Sequence, residues 1–115
     1  MPPQHSLIYL AVPYSHPDAA VREQRARIAD AMLARLTSQG QIVYSPISHT
    51  HRAAVEHGLP GDWEFWKRHC EAFVTRCSEL IVLTIDGWMT SRGVRAEIEI
   101  ANVWQIPVRF EEWTE

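Results

Sequence analysis

No apolar run approaches the ~18 residues that a membrane-crossing helix needs, so no membrane partner is expected. Positive charge is scarce. Lys and Arg number 11 against 14 Asp and Glu, for a net charge of -3 at pH 7. That balance argues against a nucleic-acid polymer as partner, which requires a basic surface, and against a polybasic membrane contact. Cysteine is nearly missing. Cys70 and Cys77 are the only ones, seven apart in a helical pattern. Along a helix they would lie about 10.5 Å apart, beyond the reach of a disulfide, so free buried thiols are expected. The first residues lack the basic start and long apolar stretch of a secretory leader, and a cytoplasmic location is expected. No Walker-type or dinucleotide glycine motif occurs.

What is present suits one globular domain over residues 1–115, with 46% hydrophobic and 22% charged residues. Residues 7–12 (LIYLAV) form a short apolar run fit for a buried strand. Pro13 and Pro17 enforce a turn. Apolar residues then recur on one helical face over 19–38, closed by Gly40. Residues 41–45 read as a second strand and 46–61 as a histidine-bearing loop. A helix over 62–76 carries Trp63, Trp66, Cys70, Phe73 and Val74 on one stripe. A third strand covers 79–85, a loop 88–92, a helix 93–105 and a fourth strand 107–110. Alternating strands and helices predict an α/β fold. The expected form is a flavodoxin-like or Rossmann-like three-layer sandwich, with a parallel sheet of four to five strands in the order 2-1-3-4.

In such a sheet ligands bind beyond the carboxyl ends of the strands, where strand order switches direction. Loops after strands 1, 2 and 3 should therefore line one cleft. They carry Pro13, Tyr14, Ser15 and His16; then Ser45, Ser48, His49 and His51; then Asp86, Ser91 and Gly93. Glu97 is expected in the first turn of its helix, aimed at this cleft, with the positive helix end favouring its ionised form. It reads either as a nucleophile or electrostatic stabiliser, or as a solvated carboxylate complementing the helix dipole. Arg22 and Arg25, on one side of the first helix, suit a phosphate near that helix's N-terminus; a solvated role is the alternative. His49 and His51 lack zinc-ligand spacing, and neither metal nor cofactor is expected. Trp63 and Trp66 offer a surface for a purine, for the core or for a subunit interface.

The segment Tyr9-Leu10-Ala11-Val12-Pro13-Tyr14, followed by Ser91-Arg92-Gly93-Val94-Arg95-Ala96-Glu97 and by Gln105-Ile106-Pro107-Val108, resembles the nucleoside 2-deoxyribosyltransferase superfamily. That superfamily includes nucleoside 5'-monophosphate N-glycosidases, and the resemblance spans about residues 7–110. It implies that Glu97 attacks C1' of a (deoxy)ribosyl group and expels the base, with Tyr9 beside the sugar or nucleophile. It implies Glu71 as the second carboxyl, and Gly93 as the glycine of a Gly-x-x-x-Glu motif. Ser91 stands where nucleoside transferases have Asp, which tilts the substrate toward a 5'-monophosphate; a helix-capping serine is the plainer role. A nucleoside or nucleotide partner and a homodimer or homotetramer follow from the same resemblance. Val12, Arg95 and Ala96 depart from the pattern, and the Val12 and Arg95 departures favour the competing expectation, a nucleotide-binding or regulatory module without turnover. A structural partner domain using its tryptophans is a third.

Overall fold

The computed structural model describes residues 6–115. Its elements are β1 Leu7–Ala11, α1 Ala19–Ser38, β2 Ile42–Tyr44, α2 Pro46–His57, α3 Trp63–Val74, β3 Glu79–Leu83, α4 Arg92–Val103 and β4 Val108–Glu111. The strands form one parallel sheet in the order β2-β1-β3-β4. The expected α/β architecture and strand order are what the chain adopts.

Side-chain alternation along the central strands builds the layers. Ile8 and Leu10 of β1, with Ile81 and Leu83 of β3, pack against Ala26, Ala29, Met32 and Leu36 of α1 and Ile47 of α2. Tyr9 and Ala11, with Leu80 and Val82, face the opposite way onto Cys70 and Val74 of α3 and Val94 and Ala101 of α4. Both faces are covered, which is why these strands read as unbroken apolar runs. Burial of Leu10, Leu80, Ile81 and Leu83 is complete, and each contributes roughly 1.5–3 kcal/mol of transfer free energy. Cys70 and Cys77 are free and buried, as expected. Among the described residues no helix is long and apolar enough to cross a membrane.

Local chemistry sets the helix ends. The Asp18 carboxylate accepts from the Ala20 N–H at 2.8 Å and starts α1. Gly40, at φ 86°, lets the chain leave it. The expected loop over 46–61 is corrected: residues Pro46–His57 are helix α2. Ser45 caps it, Pro46 occupies its first turn where no N–H partner is needed, and Gly58 closes it at φ 68°. Helix α4 likewise begins one residue earlier than expected, at Arg92, with Ser91 as its cap. Glu97 therefore sits in the second turn, not the first.

Candidate active site

Glu97 is 5% exposed and Tyr9 fully buried. Because Tyr9 points to the α3/α4 face of β1, its hydroxyl donates to Glu97 Oε2. Burial pushes the Glu97 carboxyl up to about 8, against a lowering by the Tyr9 hydrogen bond. The expectation of an ionised Glu97 favoured by the helix end is thus corrected. The dipole's influence fades beyond the first turn, and desolvation outweighs it. Burial raises the Tyr9 hydroxyl well above its usual value, and the Glu97 charge adds to the effect. Burial first, and Glu97 second, push the Cys70 thiol up to about 12, so it is a neutral neighbour.

Glu97 forms part of the wall of a cavity of about 930 Å³. The cavity opens beyond the carboxyl ends of the strands, at the β1/β3 switch point. Its wall takes Tyr14, Ser15 and His16 from the loop after β1, Arg22 from α1, His51 from α2, Ser91 from the loop after β3 and Gly93 from α4, while Ser48, His49 and Asp86, expected in the same cleft, are not part of it. Helix α3 adds Trp63, Trp66, His69 and Cys70. A Cβ on Gly93 would lie 3.6 Å from the Trp63 ring, an ordinary van der Waals contact, so the indole packs on α4 at this point. The Trp66 indole N–H donates to the Pro60 carbonyl at 2.7 Å, which fixes that ring at the cavity edge.

Backbone contacts hold the mouth. Ser15 Oγ donates to the Gly61 carbonyl at 2.9 Å, and Arg22 donates to the His16 carbonyl. Arg25 is not in the cavity wall. Its guanidinium donates to the carbonyls of Ser15 at 3.0 Å and Asp86 at 3.1 Å, tying the loops after β1 and β3 together. Gly87, at φ 91°, makes room for it: a Cβ there would meet Arg25 Nη2 at 2.5 Å. Ser91 Oγ accepts from the Val94 N–H at 3.2 Å and keeps its own proton to donate.

Other expected site residues lie elsewhere. Pro13 is fully buried, and Ser45 is a buried cap bonded to Ser48 at 2.9 Å. Glu71 is exposed and lines a separate groove with Lys67, Glu99 and Trp104. Consecutive helical residues differ by about 100° around the axis, and it is Cys70 whose side chain faces Glu97's cavity. The pairing of Glu97 with Glu71 is therefore not assembled in this structure.

A contact that sequence reasoning did not assemble stands at the mouth, joining Tyr14 and His51, both expected in the cleft, to Glu23, which was not. Tyr14 Oη and His51 Nδ1 are 2.7 Å apart, and His51 Nε2 and Glu23 Oε2 are 2.6 Å apart. His51 was visible only as one of several polar residues in an expected loop. Helical spacing within α2 and its packing on α1 bring the three together. Among the described residues no three His, Cys, Asp or Glu side chains converge as metal ligands.

Comparison with known proteins gives a family match. The model for a domain of unknown function, DUF1937, matches residues 6–113. No curated protein matches the chain.

Proposed function

The chain belongs to the DUF1937 family, and for it we propose cleavage or transfer of the N-glycosidic bond of a nucleoside or nucleoside 5'-monophosphate, with Glu97 as nucleophile. The observation that carries this reading is the buried Glu97 carboxyl, held by Tyr9 through one oxygen, on the wall of a ~930 Å³ cavity at the sheet's switch point. The resemblance to the nucleoside 2-deoxyribosyltransferase superfamily belongs to the same proposal.

Glu97 gives its proton to water before attack. A carboxylate oxygen then bonds to C1', the C1'–N bond breaks, and its electron pair leaves with the base, which takes a proton from water. The positive charge developing on the sugar stabilises the carboxylate just when it is needed. Tyr9 aims the group and steadies the oxygen that does not react. In this reading a 5'-phosphate is met by the Arg22 cation and the free Ser91 hydroxyl proton, while Ser15, whose proton is held by the Gly61 carbonyl, shapes the loop. Trp63 and Trp66 supply apolar walls for the base. A homodimer or homotetramer is part of the reading, with Val103 and Trp104, 73% and 59% exposed, as apolar surface for it.

A binding module without turnover is the second reading. It is favoured by the position of Glu71 outside the cavity, which leaves Glu97 without the second carboxyl that a retaining pair uses. Incubation with a panel of nucleosides and 5'-monophosphates separates the two. Wild type should release free base at a rate that rises with pH up to about 8, and Glu97→Ala should release none. Equal release by the variant, or none by wild type, refutes the enzymatic reading. Calorimetric binding without turnover supports the module.

A further inference from the structure

We propose that Tyr14, His51 and Glu23 form a proton relay in which Tyr14 is the general base toward the water that frees the sugar from Glu97. This rests on the N-glycosidic reading above and assigns it a hydrolytic second step.

The chemistry follows from which groups can donate. Glu23 is held below the usual carboxylate range, chiefly by its hydrogen bond from His51, so it only accepts. His51 Nε2 must then carry the hydrogen shared with Glu23 Oε2 at 2.6 Å. In the neutral imidazole that leaves Nδ1 as an acceptor. The Tyr14 hydroxyl, 2.7 Å away, donates to it. Tyr14 Oη is thereby left to accept a proton from a group in the cavity, which Tyr14 and His51 both line. A hydroxyl backed by an imidazole, itself oriented by a carboxylate, is the arrangement that activates hydroxyl groups in triads.

Position argues for a conduit. Tyr14 is partly buried, the His51 side chain is 15% exposed and Glu23 is 50% exposed. The order runs from cavity to solvent. Other charged groups nearby are Arg22, which acts on Tyr14, and Arg27, 3.7 Å from Glu23. Burial raises the Tyr14 hydroxyl against the lowering by Arg22, so a resident phenolate does not form and the protons move together. Glu71 is not available for this duty, since it lines a different groove.

The step balances as follows. The water oxygen bonds to C1', and the C1'–Oε bond breaks with its electron pair returning to Glu97. One water proton passes to Tyr14 Oη as the Tyr14 proton passes to His51 Nδ1. The resulting imidazolium faces the Glu23 carboxylate.

The test is rapid-quench kinetics with a 5'-monophosphate that wild type cleaves, read as free base and as intact protein mass. Tyr14→Phe keeps the ring, and His51→Ala removes the relay's centre. Each should give a burst of base equal to the enzyme present, then turnover slower by about a hundredfold or more, with the glycosyl-protein accumulating. Added imidazole should restore turnover in His51→Ala. Unchanged turnover in Tyr14→Phe, with release still dependent on Glu97, overturns the relay alone. Burst and turnover falling together also overturn it, because that pattern marks a structural staple between α1 and α2. No release by wild type overturns the N-glycosidic reading and the relay with it.

Discussion

At Glu97 a single side chain sets both a chemical and a stability property. Its folded-state carboxyl titrates at about 8 against an ordinary 4.5, because burial penalises the charge. Below the lower value both folded and unfolded chains hold the proton, and the group's contribution is intact. Between the two values the unfolded chain releases the proton and the folded chain keeps it, so stability falls as pH rises. Above the upper value the loss is complete, on the order of 5 kcal/mol. Glu97→Gln keeps an acceptor for Tyr9 and carries no charge. Urea midpoints measured at about pH 5 and about pH 9 should therefore fall with pH more steeply in wild type than in the variant. Equal slopes would mean that the carboxyl is solvated. The comparison isolates Glu97 because wild type and variant share the other buried acids, Tyr9 and Cys70, both raised by burial.

Helix α2 shows how an element can be specified by its ends. Only Ile47 of its 12 residues is buried, so packing contributes little and the caps contribute much. Ser45→Ala deletes the hydroxyl that accepts from the Ser48 N–H at 3.3 Å and donates to Ser48 Oγ at 2.9 Å. The expected loss is about 1 kcal/mol by chemical denaturation, with weaker ligand binding because α2 carries His51 to the cavity. The same feature explains why α2 was not legible in the sequence. Pro46 and the polar run His49-Thr50-His51 resemble a loop, and one buried apolar residue leaves no stripe to detect. Strands β1 and β3 were legible for the opposite reason, since burial on both faces writes an apolar run. Loops meeting at one cleft followed from strand order. Glu71 lies apart from Glu97 because helix phase, not spacing to the next strand, decides which α3 residue turns into the cavity: Cys70 does, while Glu71 lies in the outer groove beside Glu99 of α4. The Tyr14–His51–Glu23 contact joins a loop and two helices, and no local pattern encodes it.

At the scale of the molecule, the strand order makes the cavity. The connection from β1 runs outward to β2, and the next one returns past β1 to β3. Chain therefore departs in opposite directions at the β1/β3 edge and leaves a crevice between the loops. Arg25 bridges those loops through backbone carbonyls, so the cavity walls are joined before any ligand arrives. A ligand spanning them binds the folded chain alone and stabilises it by mass action, about 2.7 kcal/mol at a hundredfold excess over Kd. A nucleoside 5'-monophosphate should thus raise the melting temperature by several degrees, and the parent nucleoside by less. Arg22→Met should erase the difference between them, because Arg22 is the cavity arginine beside the Tyr14-Ser15-His16 turn. A rise with no base released would favour the binding module. No rise with any nucleotide would mean that the cavity takes a different class of ligand, since the loops that line it must close on whatever occupies the switch point.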